Sequence, residues 1–156
     1  MSAAAQLAFA HRPHTPPWLG RPFAEDALAA SPQPAVAIVF TPVGAAAVSS
    51  SLGYAAADHI LKSFALRLRD RIPSQHPIYR WTGFSLLVLL PHQTPQEASV
   101  LGARWLPDRF LESVSWDCRL LQVPVSPRAA IVALPSGRSD RAVRSLDYAV
   151  ALHSHP

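Results

Sequence analysis

Residues 53–91 read GYAAADHILKSFALRLRDRIPSQHPIYRWTGFSLLVLLP. The first half has a helical period. Ala57, Ile60, Leu61, Phe64, Ala65 and Leu68 recur at spacings of three and four, and Lys62, Arg67, Arg69 and Asp70 fall mostly on the other side. The spacing predicts a helix over residues 55–72, ended by Pro73. The second half has the character of strands. Residues 77–81 and 84–90 are strand-like, and the short Thr82-Gly83 link between them predicts a hairpin, closed by Pro91.

Working outward, residues 35–40 (AVAIVF) are an apolar, β-branched run between prolines and predict a buried strand. Residues 23–30 can form a short helix that Pro32 and Pro34 stop. Residues 1–16, stiffened by Pro13 and Pro16 ahead of Pro17, read as a tail or linker before one domain over 17–156. Downstream, Thr94 with Glu97 is a capping box for a helix to about residue 105. Pro107 interrupts it, with a second helical piece expected to about residue 113. Residues 119–125 and 129–134 are two strand candidates around Pro127. Ser139 opens a last helix through residue 152, with Ala142, Val143, Leu146, Ala149 and Val150 on its apolar face. The order contains β-α-β-β-α-β, the split arrangement of ferredoxin-like and polymerase-palm domains. The expected fold is α/β: a single palm-like domain with a central, mainly antiparallel sheet flanked by helices.

Composition narrows the classes. A chain of 156 residues suits one domain, and 49% hydrophobic against 15% charged residues excludes general disorder. The net charge of +4 is spread over scattered arginines without aromatic interleaving, which argues against a nucleic-acid binder. Cys118 is the single cysteine, so no internal disulfide forms and a reducing compartment suits the chain. The apolar stretches 35–48 and 86–90 fall short of the roughly 18–20 residues that span a bilayer. No signal-peptide pattern opens the chain. The expectation is a cytoplasmic protein with no membrane partner.

Three blocks resemble one family in order. Gly53-Tyr54-Ala55-Ala56-Ala57-Asp58-His59-Ile60-Leu61, running on to Ala65 and Leu68, is similar to the G-H-x-x-G-D-x-x-L-x-x-x-A-x-x-L helix of the GGDEF family of diguanylate cyclases. Arg80-Trp81-Thr82-Gly83-Phe84-Ser85-Leu86, followed by Leu87-Val88-Leu89-Leu90, sits where that family has R-x-G-G-D-E-F and an apolar strand. Leu146-Asp147-Tyr148-Ala149-Val150 resembles the A-D-x-A-L of its closing helix. Leu19-Gly20-Arg21-Pro22-Phe23 echoes its N-R-R-x-F opening, and residues 129–133 its last strand. The joint spacing over about residues 18–152 carries the resemblance.

The resemblance implies chemistry that these residues do not supply. Diguanylate cyclases join two GTP molecules across a dimer, a phosphoryl transfer that depends on metal ions held by carboxylates. By the resemblance, the first-strand Asp falls on Thr41 and the next Asp of that motif on Val43, while the hairpin Asp and Glu fall on Phe84 and Ser85. Neutral hydroxyls and a phenyl ring cannot replace negative charges on a divalent ion. The expectation is a degenerate signature over Thr82, Gly83, Phe84, Ser85 and Leu86, with no catalytic residue, no metal and no cofactor. The implied role is a regulatory, dimerisation or partner-binding module in bacterial signalling of the cyclic di-GMP type.

A receptor reading stands beside it. The family's guanine-binding Asn falls on Ser49, its Asp survives as Asp58, and Arg80 matches the Arg before the signature. The resemblance thus also implies a non-catalytic receptor for GTP or cyclic di-GMP. Taken alone, Asp58 is a helix first-turn acid favoured by the dipole, and Arg80 a strand-end charge. The R-x-x-D inhibition motif falls on Pro73 and His76 and is absent. Arg67-Leu68-Arg69-Asp70 has its letters six residues early and reads as a solvated helix face. Ser49-Ser50-Ser51 before Gly53 suggests an N-cap rather than a phosphate loop. His11, His14, His153 and His155 lie in the termini and do not make a zinc site. Cys118 reads as a buried or partly buried structural cysteine. Trp81 and Phe84 have two readings: an apolar patch for a partner, or rings folded inward to fill the pocket.

Overall fold

Apolar residues at every position from Ala35 to Phe40 let β1 (Ala35–Val43) be covered on both faces. The computed structural model describes residues 16–30, 35–135 and 139–153. Around β1 run α1 (Arg21–Ala30), α2 (Ala45–Leu52), α3 (Tyr54–Arg71), β2 (Tyr79–Arg80), β3 (Leu86–Pro91), α4 (Pro95–Trp105), β4 (Phe110–Trp116), β5 (Arg119–Leu134) and α5 (Ser139–His153). The strands form one five-stranded sheet in the order β2-β3-β1-β5-β4, and every pair is antiparallel. This is the α/β palm-like architecture expected from the element order.

The alternation of β1 divides the core. Val36, Ile38 and Phe40 face α3 and α4 together with Leu86, Val88 and Leu90 of β3. Ala35, Ala37 and Val39 face α1 and α5, with Tyr79, Trp81, Leu87 and Leu146. The predicted apolar face of α3 is buried at Ala57, Ile60, Leu61, Phe64, Ala65 and Leu68. That of α5 is buried at Ala142, Leu146 and Val150. A third cluster joins Ala56 and Ile60 of α3 to Val114 of β4 and Val125 of β5.

Several boundaries differ from expectation. Residues 110–116 form a strand, not a helical piece. Val114 is buried and Phe110 and Glu112 are half-buried, a period of two that pairs with β5. Residues 119–134 form one strand through Pro124 and Pro127, not two. Pro127 lies opposite Pro42 of β1 and Pro124 opposite Leu111 of β4. Two facing prolines cannot exchange N–H···O bonds, so theirs is a non-hydrogen-bonded pair and each missing donor lies on its strand's other edge. At Pro42 that edge lies beyond the end of β3's pairing, and at Pro127 beyond the end of β4's. No ladder bond is lost, so the strand continues. The first hairpin strand is short, only Tyr79–Arg80.

α2 was not expected. Ser49, Ser50 and Ser51 lie in its last turns instead of capping α3, and Ser50 Oγ donates to the Ala46 carbonyl at 3.2 Å. Gly53, at φ +97°, accepts no side-chain cap and turns the chain from α2 into α3. The capping box of α4 is present: Glu97 N–H donates to Thr94 Oγ1 at 3.1 Å, and Thr94 N–H donates to Glu97 Oε1 at 3.3 Å. Thr94→Ala is expected to cost about 1 kcal/mol of unfolding free energy, read from urea midpoints at unchanged slope. Cys118 is exposed at the β4–β5 turn, which corrects its reading as a buried residue. The stop at Pro32 and Pro34, and the tail over 1–15 with His11 and His14, lie outside the described residues, as does His155.

Candidate functional site

The β2–β3 turn is where the structure gathers polar groups. Trp81 N–H donates to the Ser85 carbonyl at 3.0 Å, and Gly83 turns the chain at φ +62°, a conformation that a residue without Cβ adopts at no steric cost. Neighbouring strand residues point to opposite faces. Arg80 and Trp81 therefore anchor the turn to opposite sides of the sheet.

Arg80 reaches α3. Its Nη1 donates to Asp58 Oδ1 at 3.1 Å, and its Nη2 to the Tyr54 hydroxyl at 2.7 Å and the Gly83 carbonyl at 3.2 Å. Tyr54 and Asp58 are four residues apart on one helix, so one face presents both to the guanidinium. The guanidinium carbon lies 5.1 Å from the Trp18 ring centre, 5.8 Å from that of Tyr54 and 5.9 Å from that of Phe84. Trp18 is held there by its neighbour Leu19, whose carbonyl accepts from Arg80 N–H at 2.8 Å and whose N–H donates to the Ile78 carbonyl at 2.9 Å. The second oxygen of Asp58 pairs with Lys62 Nζ at 3.1 Å. Both carboxylate oxygens are thus engaged within the chain.

Trp81 turns the other way and is 4% exposed, so it forms no surface patch with Phe84. Its Nε1–H donates to Asp147 Oδ1 at 2.8 Å. Arg21 lies 4.1 Å from the Trp81 ring centre and donates to Asp147 Oδ2 at 3.1 Å and to Glu25 Oε1 at 2.9 Å. The opening segment, the hairpin and the closing helix, far apart in sequence, meet at Asp147.

One step beyond the Phe40↔Leu86 pair of β1 and β3 lie Thr41 and Ser85. Both are buried, and their hydroxyl oxygens are 3.5 Å apart. Phe84 is partly buried on the α3 side of the core, with its ring 5.8 Å from Tyr54. The donors at this point are two neutral hydroxyls. This set does not fit a magnesium ion, which binds through hard anionic oxygens. Among the described residues, no group of three or more His, Cys, Asp or Glu side chains could hold a metal ion.

The remaining candidates lie apart. Ser49 is in the last turn of α2, where its carbonyl accepts from Gly53 N–H at 3.1 Å, away from the Asp58–Arg80 pair, whose bonds run to Tyr54, Gly83 and Lys62. Arg67 stacks over Phe110 at 4.0 Å, and with Asp70 and Arg109 it lines a surface cleft of about 210 Å³. Arg71, also on that cleft, donates to the Leu106 carbonyl at 3.2 Å, at the end of α4. The His76 ring meets that of Trp105 at a tilt, centres 5.4 Å apart, and burial holds its imidazole below the usual range. Burial likewise raises the Tyr79 phenol. The roles of Tyr54 and Trp18 escaped the sequence reading; the four-residue spacing of Tyr54 from Asp58 was the available signal.

The model of the diguanylate cyclase GGDEF domain family matches residues 45–115. Over these residues the chain is similar to the GGDEF domain family. The GGDEF domain of YfiN (TpbB) from Pseudomonas aeruginosa superposes on it with a TM-score of 0.65 at 20% identity, covering 88% of this chain and 90% of that one. Diguanylate cyclase SiaD from Pseudomonas aeruginosa, solved in complex with its activator SiaC, gives 0.63 at 18% identity over 94% of this chain and 62% of that one. The coiled coil and GGDEF domain of DgcB from Caulobacter crescentus, solved with cyclic di-GMP, gives 0.65 at 9% identity over 87% and 78%. No curated protein matches by sequence. Among the described residues, no helix is long and apolar enough to cross a membrane.

Proposed function

We propose that this GGDEF-type domain, over residues 17–156, is non-catalytic and works as a regulatory, dimerisation or partner-binding module in cytoplasmic signalling of the cyclic di-GMP type. The observation that carries the reading is the Thr41–Ser85 pair. Its two buried hydroxyls stand 3.5 Å apart where the family resemblance places metal-binding carboxylates. A divalent ion there gains no charge neutralisation from the protein, and without the ion the α-phosphate keeps its negative charge against the attacking hydroxyl. Two structural neighbours, one with a protein activator and one with cyclic di-GMP, represent the partner classes this reading concerns.

Incubation with GTP and Mg²⁺ or Mn²⁺ is expected to yield no cyclic di-GMP above a protein-free control. Accumulation of product would end the proposal. Light scattering over a concentration series tests self-association, and a strict monomer that captures no partner in pull-downs counts against the module role. The receptor alternative assigns Asp58 to the guanine as its main contact, with Ser49 at the second guanine-recognising position and Arg80 on an anion. It predicts a calorimetric response to GTP or cyclic di-GMP that Asp58→Ala abolishes.

A further inference from the structure

We infer that Trp18, Tyr54, Phe84 and Asp58 form a guanidinium-binding cage, between α3 and the signature turn, that Arg80 fills in cis. The class of ligand is set by the groups present. Three rings stand 5.1–5.9 Å from the guanidinium carbon, the range in which a ring quadrupole attracts a cation. Three oxygens accept its N–H bonds: Asp58 Oδ1 at 3.1 Å, the Tyr54 hydroxyl at 2.7 Å and the Gly83 carbonyl at 3.2 Å. Planar forked donors match acceptors spread in this way, and a compact ammonium does not. The Arg80 side chain is only 20% exposed, as is that of Asp58, so the occupant is largely withdrawn from water.

The occupant has a consequence for any nucleotide. Asp58 shares one oxygen with the ring-enclosed Arg80 and the other with the half-exposed Lys62, so a base that pairs with both oxygens competes with two charged partners. The inference rests on the proposed reading only in naming what fills the same site. It makes no use of whether GTP is turned over.

Chemical rescue tests it. Arg80→Ala is expected to lower Tm by roughly 5–10 °C, the scale of a lost charge-assisted bond in a domain of this size. Low-millimolar guanidinium, far below denaturing concentration, restores at least half of that loss, because a ligand of the folded state stabilises it. Ammonium or sodium chloride at equal ionic strength does not. An unchanged Tm, or equal response to all three salts, overturns the inference. Should R80A fail to fold, R80K decides: it keeps the charge without the fork, so a wild-type Tm overturns the cage and a clear drop supports it. Product from GTP would remove the non-catalytic reading and leave these stability outcomes unaffected.

Discussion

Placing carboxylates at the paired hydroxyls, T41D with S85E, is expected to destabilise the metal-free protein by about 3–5 kcal/mol and to make its stability depend on Mg²⁺. Thr41 and Ser85 are 8% and 1% exposed, so acids there lose hydration and face each other at the separation of the present hydroxyls. Arg128 of β5 stands opposite Thr41 but is itself exposed, so it offsets the charge only in part, and burial with like-charge repulsion raises the folded-state pKa of both acids. The sign with pH follows. Below the unfolded pKa both states are protonated and the penalty is small; it grows as pH rises from the unfolded toward the raised folded value. A divalent ion bridging the two carboxylates offsets part of the penalty, about 2.7 kcal/mol at a hundredfold excess over Kd. Thermal melts with and without Mg²⁺ read this. The wild-type protein is expected to show no specific Mg²⁺ response, and equal stabilisation of both proteins would contradict the account of this site.

Phe64→Ala is expected to cost about 3–5 kcal/mol of unfolding free energy, measured by urea denaturation. Phe64 is fully buried and belongs to the cluster of Val36, Ile38 and Phe40 of β1 with Leu61 and Leu68 of α3. Removing the ring takes away buried apolar area, and the flanking sheet and helix cannot collapse into the void. The loss fastens on α3, which also presents Tyr54 and Asp58, so the Arg80 contacts loosen with it. Leu66 on the same helix is 54% exposed, and Leu66→Ala serves as the control with an effect within about 0.5 kcal/mol.

The fold was legible because its elements carry local signals. The three- and four-residue spacing of α3, the capping box of Thr94 and Glu97, and the apolar run of β1 each depend on contacts close in sequence or on burial alone. Errors came where a residue's usual meaning was overridden by its position in the sheet. Pro127 reads locally as a break, yet its missing donor faces no neighbouring strand. Ser49–Ser51 read as a cap, yet the chain is already helical from Ala45.

The site divided in the same way. The sequence alone determined which chemical groups stand at the hairpin and the end of β1, and hence that no carboxylate is carried at Thr41, Phe84 or Ser85, because side-chain identity needs no fold. Only the tertiary structure decided what those groups touch. It took a folded sheet to send Arg80 to Tyr54 and Asp58 and Trp81 to Asp147, since the strand alternation assigns opposite faces but the partners on each face come from helices more than twenty residues away in the chain.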